Sequence, residues 1–393
     1  MSALRQITEV TWMGLTSLPT RKGAAAVVVM GIAGVVGVLV ALLAMRDGFE
    51  ATLGQTGQAD EAIVLRAGAN SELASQIVRE DALLIARTPG VSRDPQGDPQ
   101  ASAEVVVVAN LPLRSTGTDA NAQIRGVGPQ AFALRRSLRI IEGRAFRSGR
   151  RELLAGQGAA RQFRGLNPGG ILMLNQEPWM VTGLFATGDA TESEIWADAE
   201  VVQSTYRRNA FQSVRVRLAD AAALAQLTAG LAENPQLRVE ASTTQEYYAT
   251  QSVRLRRLVN FLATTVASIM AVGAVFGALN TMHAAVAART REIAILRALG
   301  FGAAPVVCSV LLEGLLLALT GGLLGAGAAW VVFDQYTVST LGANFSQVVF
   351  AFRVTGALVR DALVLALAIG FLGALWPALA AARMPIPEGL RTR

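Results

Sequence analysis

Ala24 to Ala44 (AAAVVVMGIAGVVGVLVALLA) is a run of 21 residues without a charge or a strong polar group. At 1.5 Å per residue a helix of that length rises about 30 Å, the thickness of a bilayer's hydrocarbon core. The run is long for the apolar part of a cleaved leader. Residues 1–23 precede it, and MRDGFE follows where a small-residue cleavage site would stand. It reads as an uncleaved span.

Three further segments have the same character: Leu258–Met282, Val306–Phe333 and Ala362–Ala381. Gly273/Gly277 and Gly321/Gly325 have the small-xxx-small spacing that lets helix backbones approach in lipid. The composition agrees, with 52% hydrophobic and only 16% charged residues. The expected fold class is a membrane α-helical protein of four transmembrane helices, with an α+β domain inserted between helices 1 and 2.

Charge sets the orientation. With the N-terminus inside, residues 1–23, 283–305 and 382–393 are cytoplasmic. They carry nine basic groups (Arg5, Arg21, Lys22, Arg289, Arg291, Arg297, Arg383, Arg391, Arg393) and three acids (Glu9, Glu292, Glu388). The difference equals the whole chain's net charge of +6. The pI near 10.3 therefore reflects topology, and no nucleic-acid partner is implied. Arg254, Arg256 and Arg257 flank the second span on the outside, where they can meet lipid headgroups.

The expected order is an amphipathic N-terminal helix (1–23), a first span (24–45) and an external domain with stalk helices at both ends (46–257). A second span (258–282), a charged connector (283–305), a third span (306–333) and a short external loop (334–361) follow. A fourth span (362–381) and a cytoplasmic tail (382–393) complete the chain. Within the external domain EAIVLRAGA, AEVVVVANLPL and SVRVRLAD read as strands. SELASQIVREDALLIART and AAALAQLTAGLAENP read as helices. GGILMLNQEPWMVTGLF reads as a hairpin turning at Glu177-Pro178.

Several chemistries are excluded. The only lysine is Lys22, in TRKG, so no G-x-x-x-x-G-K-[ST] phosphate loop exists in these residues. One histidine, His283, leaves no second one for a triad, and one cysteine, Cys308, allows no disulfide framework. Cys308 reads as a small buried hydrophobe and His283 as an interfacial side chain. Glu313 interrupts the third span and is expected to bond a polar group on a neighbouring helix or a dimer mate. Arg360-Asp361 reads as a local pair. The run RRSLRIIEGRAFRSGRR (Arg135–Arg151) reads as a solvated face balanced by acids elsewhere, against an alternative as a site for an anionic partner.

The connector ARTREIAILRALG (Ala288–Gly300), with LLEG (Leu311–Gly314) opening the next span, resembles the signature of the FtsX/MacB-like permeases of ABC transporters. The tail WPALAAARMPIPEGLR (Trp376–Arg391) and Leu18-Pro19 before the first span also fit. IRGVGPQAF, IIEGRAF, LLAGQGAARQFRGL and SEIWAD resemble the MacB-like periplasmic core. The resemblance implies a type VII mechanotransmission permease: four spans per subunit, a second permease subunit (homo- or heterodimer), and a separate cytoplasmic ABC ATPase that holds ATP and Mg. This chain would itself be non-catalytic and bind no cofactor or metal. It would lie in the bacterial inner membrane with both termini cytoplasmic and the large domain periplasmic. A periplasmic adaptor and an outer-membrane channel are further partners that some members use. The implied work is export or extraction of amphiphilic cargo (lipopeptide, lipoprotein, glycolipid or drug), as in the MacB/LolCDE type. The alternative is an FtsX-like mechanotransmitter that activates a periplasmic cell-wall hydrolase.

On a helical wheel of the connector, Ile293, Ile295, Leu296 and Leu299 share an arc that includes Glu292. Thr290, Ala294, Arg297 and Ala298 lie opposite. A carboxylate inside an apolar arc suits a protein groove with a basic group better than a lipid surface. Gly300 and Gly302 would end the helix and Pro305 open the next. The residues expected to couple to the ATPase are Arg289, Arg291, Glu292, Ile293, Ile295, Leu296, Arg297, Leu299 and Gly300.

Overall fold

A computed structural model describes residues 3–16, 22–220, 222–341 and 346–387. Leu18, Pro19, Arg21, Glu388, Arg391 and Arg393 lie outside the described residues, as do the side chains of Arg5 and Arg254. The chain forms two compact units. One comprises residues 1–48, 256–336 and 352–393, the other residues 49–255 and 337–351.

The first unit is helical. Among the described residues four helices are long and apolar enough to cross a membrane: Lys22–Gln55, Thr244–Ala288, Ala303–Phe333 and Gly356–Arg383. Their outward faces carry exposed Ile269, Phe276, Leu324, Val331 and Val364. Each helix bonds its own backbone internally, which a hydrocarbon environment requires. Small residues bring the helices together. A Cβ on Gly321 would lie 2.7 Å from the Val29 carbonyl oxygen, so the first and third long helices meet backbone to backbone. Gly314 and Gly370 face each other between the third and fourth helices. Gly273 and Gly277 have no neighbour within 4 Å of a Cβ position. Their spacing matched a packing motif, but within the chain that face of the helix is open. The short helix Ala3–Thr16 lies along the third helix, where Ser309 Oγ donates to the Val10 carbonyl at 3.2 Å. Cys308 is half-buried, not buried.

The second unit is built on a mixed sheet of β1 (Glu61–Arg66), β2 (Ala101–Pro112), β3 (Asp119–Val127), β4 (Arg139–Gly143), β5 (Glu152–Gly156), β6 (Ile171–Leu174), β7 (Glu177–Ala186), β8 (Glu194–Asp198), β9 (Ser213–Arg217) and β10 (Val239–Thr243). The strand order is β10-β1-β9-β2-β3-β8-β5-β7-β4, with β6 beside β7. Pairs β3–β8 and β5–β7 are parallel and the others antiparallel. β2 joins the two halves: residues 101–104 pair with β9 and residues 105–112 with β3.

Three readings are corrected. The β6–β7 hairpin turns at Asn175-Gln176, both with positive φ (46° and 67°), and not at Glu177-Pro178. A two-residue turn with both centres left-handed matches the strand twist. Pro178 lies inside β7. The helix expected from Ser71 to Thr88 is confined to Arg79–Arg87. Ahead of it Ile77 is extended and exchanges both backbone bonds with Phe211 at 2.8 Å, which buries its side chain. The segment 334–361 is more than a loop: β11 (Thr337–Leu341) and β12 (Gln347–Ala351) form a hairpin that belongs to the second unit. The fourth long helix then starts at Gly356, capped by Thr355, so the Arg360-Asp361 pair (2.9 Å) lies inside that helix.

The centre of the second unit is ionic. Arg125 on β3 is 1% exposed and contacts Glu72 (2.7 Å), Glu104 on β2 (2.8 Å) and Glu194 on β8 (2.7 Å). Burial pushes the Glu72 carboxyl up, but the charge and hydrogen bonds of Arg125, with Arg215, more than offset it and hold the group at about 2. A carboxyl held below its usual 4.5 stabilises the fold fully above that value, and the contribution is lost as pH falls toward 2. Unfolding free energy of the full chain is therefore expected to stay level from pH 7 to 5 with respect to this group and to decline below. Arg125→Met, which strands buried carboxylates, is expected to cost about 3–5 kcal/mol in denaturant titrations at pH 7. A cost under about 1 kcal/mol would contradict the central role of this cation.

Candidate functional site

The charged connector forms a helix of its own, Thr290–Ala298. The second long helix stops at Ala288, and Arg289 (φ −111°, ψ 10°) breaks the run. Gly300 ends the connector helix at φ +95°, a conformation that costs glycine little and other residues much. Gly302 caps the third long helix and Pro305 occupies its first turn.

The nine residues singled out above fall on two faces. Arg289 and Ile293 are buried, with Ala294, and Leu296 and Arg297 are half-buried. Arg291, Glu292, Ile295, Leu299 and Gly300 are exposed, Ile295 at 44% and Leu299 at 73%. The wheel grouped Ile293 with Ile295, Leu296 and Leu299; the structure divides that arc. Packing against the helical unit takes the side centred between Ile293 and Arg297. Arg297 Nη1 donates to the Met384 carbonyl at 2.7 Å, tying the connector to the segment after the fourth helix. The outward side keeps two apolar side chains flanked by Arg291 and Glu292.

Glu313 is buried in the third long helix, and Arg289 Nη1 lies 3.5 Å from its Oε2. Arg289 Nε also donates to Glu292 Oε2 at 3.2 Å. One polar group beside Glu313 is thus the arginine at the break between the second long helix and the connector. Wheel reasoning could not find it, because a wheel treats one helix at a time and this pair joins two.

The second unit holds the other joints. The first long helix ends at Gln55. Thr56 Oγ1 accepts from the Ala190 amide at 3.0 Å. Gly57 turns at φ +90°, where a Cβ would lie 2.7 Å from the Thr244 backbone, so only glycine fits. Gln58 N donates to Thr244 Oγ1 (2.9 Å), whose hydroxyl donates back to the Gln58 carbonyl (3.1 Å). The end of the first long helix is thereby clasped to the start of the second. One turn on, Tyr247 Oη accepts from the Glu72 amide at 3.1 Å and Tyr248 Oη accepts from Arg215, so the ionic centre holds this helix start as well. The β11–β12 hairpin joins the same region. Ser193 Oγ accepts from the Val349 amide (2.8 Å), Ser346 Oγ donates to Gln123 (3.0 Å), and Phe350 packs edge-on against Phe49 (5.3 Å). The turn Ala190–Ser193 thus receives both the first long helix and the hairpin.

The basic run 135–151 is only partly a solvated face. Arg135 is buried, with Nη1 and Nη2 each 2.8 Å from Glu104 and its guanidinium 4.6 Å above the Trp196 ring. Arg144 pairs with Glu152 and Arg151 with Glu177, each at 2.7 Å. Arg136, Arg139, Arg147 and Arg150 are exposed.

Residues 25–234 match the MacB-like periplasmic core domain, and residues 264–386 match the FtsX-like permease C-terminal family. The macrolide export ATP-binding/permease protein MacB of Vibrio parahaemolyticus is 24% identical over 301 residues, which is 72% of this chain and 44% of the relative. The protein of that name from Neisseria gonorrhoeae is 26% identical over 297 residues, 70% of this chain and 45% of the relative. The chain spans less than half the length of these relatives. The crystal structure of the periplasmic region of MacB from Actinobacillus actinomycetemcomitans aligns with 50% of this chain and 94% of its own, at 14% identity and a TM-score of 0.38.

A double-mutant cycle on Arg289→Gln and Glu313→Gln tests the buried pair. Each single change removes one opposite charge from beside a buried group, so the double variant is expected to lose less stability than the two summed. A coupling of about 1–3 kcal/mol in micelle unfolding is expected; additive losses would mean the two side chains do not act together.

Proposed function

The chain belongs to the FtsX-like permeases that carry a MacB-like periplasmic core domain, and on that premise we propose that it is the membrane subunit of an ABC transporter of the MacB/LolCDE type. In this reading the four long apolar helices are four spans of a bacterial inner membrane, with both termini cytoplasmic and the second unit periplasmic. In the same reading ATP and Mg are held by a cytoplasmic ATPase that partners the chain; these residues, with Lys22 their sole lysine, contain no phosphate loop. A second permease subunit completes the complex, and an adaptor and an outer-membrane channel are its further candidates.

The observation that carries the proposal is the outward face of the connector helix. Ile295 and Leu299 expose apolar surface between Arg291 and Glu292, an apolar centre with a charged rim as at protein interfaces. Closure of the ATPase pair would move this helix. Arg289, shared between Glu292 and Glu313, would pass the motion to the third span, and the Arg297–Met384 bond to the segment after the fourth. The two continuous helices and the hairpin would deliver it to the second unit. The match of residues 25–234 to the MacB-like periplasmic core domain supports work on an amphiphilic cargo (lipopeptide, lipoprotein, glycolipid or drug) over activation of a cell-wall hydrolase.

Ile295→Asp with Leu299→Asp is expected to abolish co-purification of the ATPase while the chain still inserts and keeps its melting temperature. Both side chains face outward, so the helical core is untouched. ATPase recovery at wild-type levels would refute docking at this face.

A further inference from the structure

The sheet of the second unit ends on two unlike edges. At one end β10 is exposed only at Glu240, and Val239 and Ala241 pack on the core. At the other end β4 has β7 as its sole neighbour among the described residues, and every residue of the strand is exposed. Ile140 (42%) and Ile141 (47%) stand side by side at its centre. A strand edge is ordinarily blunted by a charge or a proline, because its unpaired N–H and C=O groups recruit another strand. The same side of β7 continues into β6. β4 pairs with residues 183–186 and β6 with residues 177–180, while β5 takes the opposite side. On β6 the exposed Ile171 and Met173 lie across from Met180 and Pro178, which are exposed as well. This edge of the sheet is open and apolar over the length of two strands.

The charge around β4 has one dominant sign. Within the run 135–151, Arg135, Arg144 and Arg151 are matched by Glu104, Glu152 and Glu177, and Arg136 lies 3.8 Å from Asp60. The exposed guanidiniums of Arg139, Arg147 and Arg150 have no carboxylate within 4.0 Å among the described residues. Arg139 begins β4, and Arg147 and Arg150 stand in the turn that follows it. Glu142 is the one acid on the strand.

These features restrict the occupant. A second copy pairing edge to edge would bring like charges together, which is unfavourable. An anionic bilayer or polymer would meet the arginines and leave the backbone edge unpaired. A neutral strand would pair the backbone and leave the arginines unmatched. We propose that β4 is a docking edge for an extended acidic segment of a partner polypeptide, which adds to the sheet as a further strand. Its backbone pairs with β4, an apolar side chain covers Ile140 and Ile141, and its carboxylates meet Arg139 at one end and Arg147 and Arg150 at the other. The bulge between Ile140 and Glu142 restricts regular pairing to a few residues, so charge and apolar contact supply part of the affinity. The edge lies wholly in the second unit, so docking there is measurable whether or not the chain moves cargo.

The test is fluorescence anisotropy with the full chain in phosphatidylcholine nanodiscs and a labelled peptide of alternating valine and threonine with two glutamates at each end. Two further copies of the peptide are N-methylated at alternate residues, one along each backbone edge. The parent is expected to bind saturably. One methylated copy should bind like the parent and the other about tenfold or more weakly, because only one edge faces β4. Arg139→Glu with Arg147→Glu and Arg150→Glu should weaken the parent about tenfold or more and leave the melting curve unchanged, since these side chains are exposed and outside the ion pairs. Equal affinities of the two methylated copies would overturn the proposal and leave at most a face for anionic polymers or lipid. Binding that survives the triple charge reversal, or no saturable binding of the parent, would overturn it as well.

Discussion

A guanidinium taken out of water must find both its counter-charge and its hydrogen bonds inside the protein, and Arg125 finds them in three carboxylates. Each of those carboxylates is anchored elsewhere. Glu72 accepts from Ser213 Oγ and offers its amide to Tyr247, Glu104 is forked by Arg135, and Glu194 accepts from Trp196 Nε1. One buried cation therefore fixes the relation of β2, β3, β8 and β9 to the first turn of the second long helix. Burying so many ions is expensive, and apolar replacements of like volume are often no less stable. The structural consequence of the network is positional: the start of a helix that reads as a span is fixed by the most constrained point of the second unit.

The helical unit faces a different problem. Lipid is as apolar as the helices, so apolar area provides little drive for them to associate. Close backbone approach at Gly321, Gly314 and Gly370 takes over that role. One buried ion pair, Arg289–Glu313, is added where the connector leaves the bundle. The two units thus use the same device at their joints, a buried arginine shared between carboxylates.

Much of this was legible in the sequence because the signals are local. The four apolar runs, the break at Gly300–Gly302 and strands such as EAIVLR and SVRVR each follow from periodicity within a few residues. What escaped was non-local or context-bound. RRSLRIIEGRAFRSGRR looks uniformly solvated, yet Arg135 is buried because Glu104, on another strand, is there to receive it. TVSTL and QVVFA alternate with β-branched residues and could have been read as a hairpin, but their shortness between two spans masked them. Arg289 carried the sign of a topological signal, and only the fold shows that its charge is used inside the bundle. The connector's exposed face was found only in part, since one helix cannot tell which half of its apolar arc its own chain will cover.

The account turns on motion entering at the connector and arriving at the second unit. In the complex proposed above, two copies with a partner ATPase in nanodiscs, spin labels at Gln96→Cys, on an exposed turn of that unit, in a Cys308→Ser background would report it by pulsed dipolar distances. The account predicts that trapping the ATPase with ATP and vanadate shifts the distance distribution relative to the nucleotide-free complex. An unchanged distribution in a complex whose ATPase turns over would contradict it.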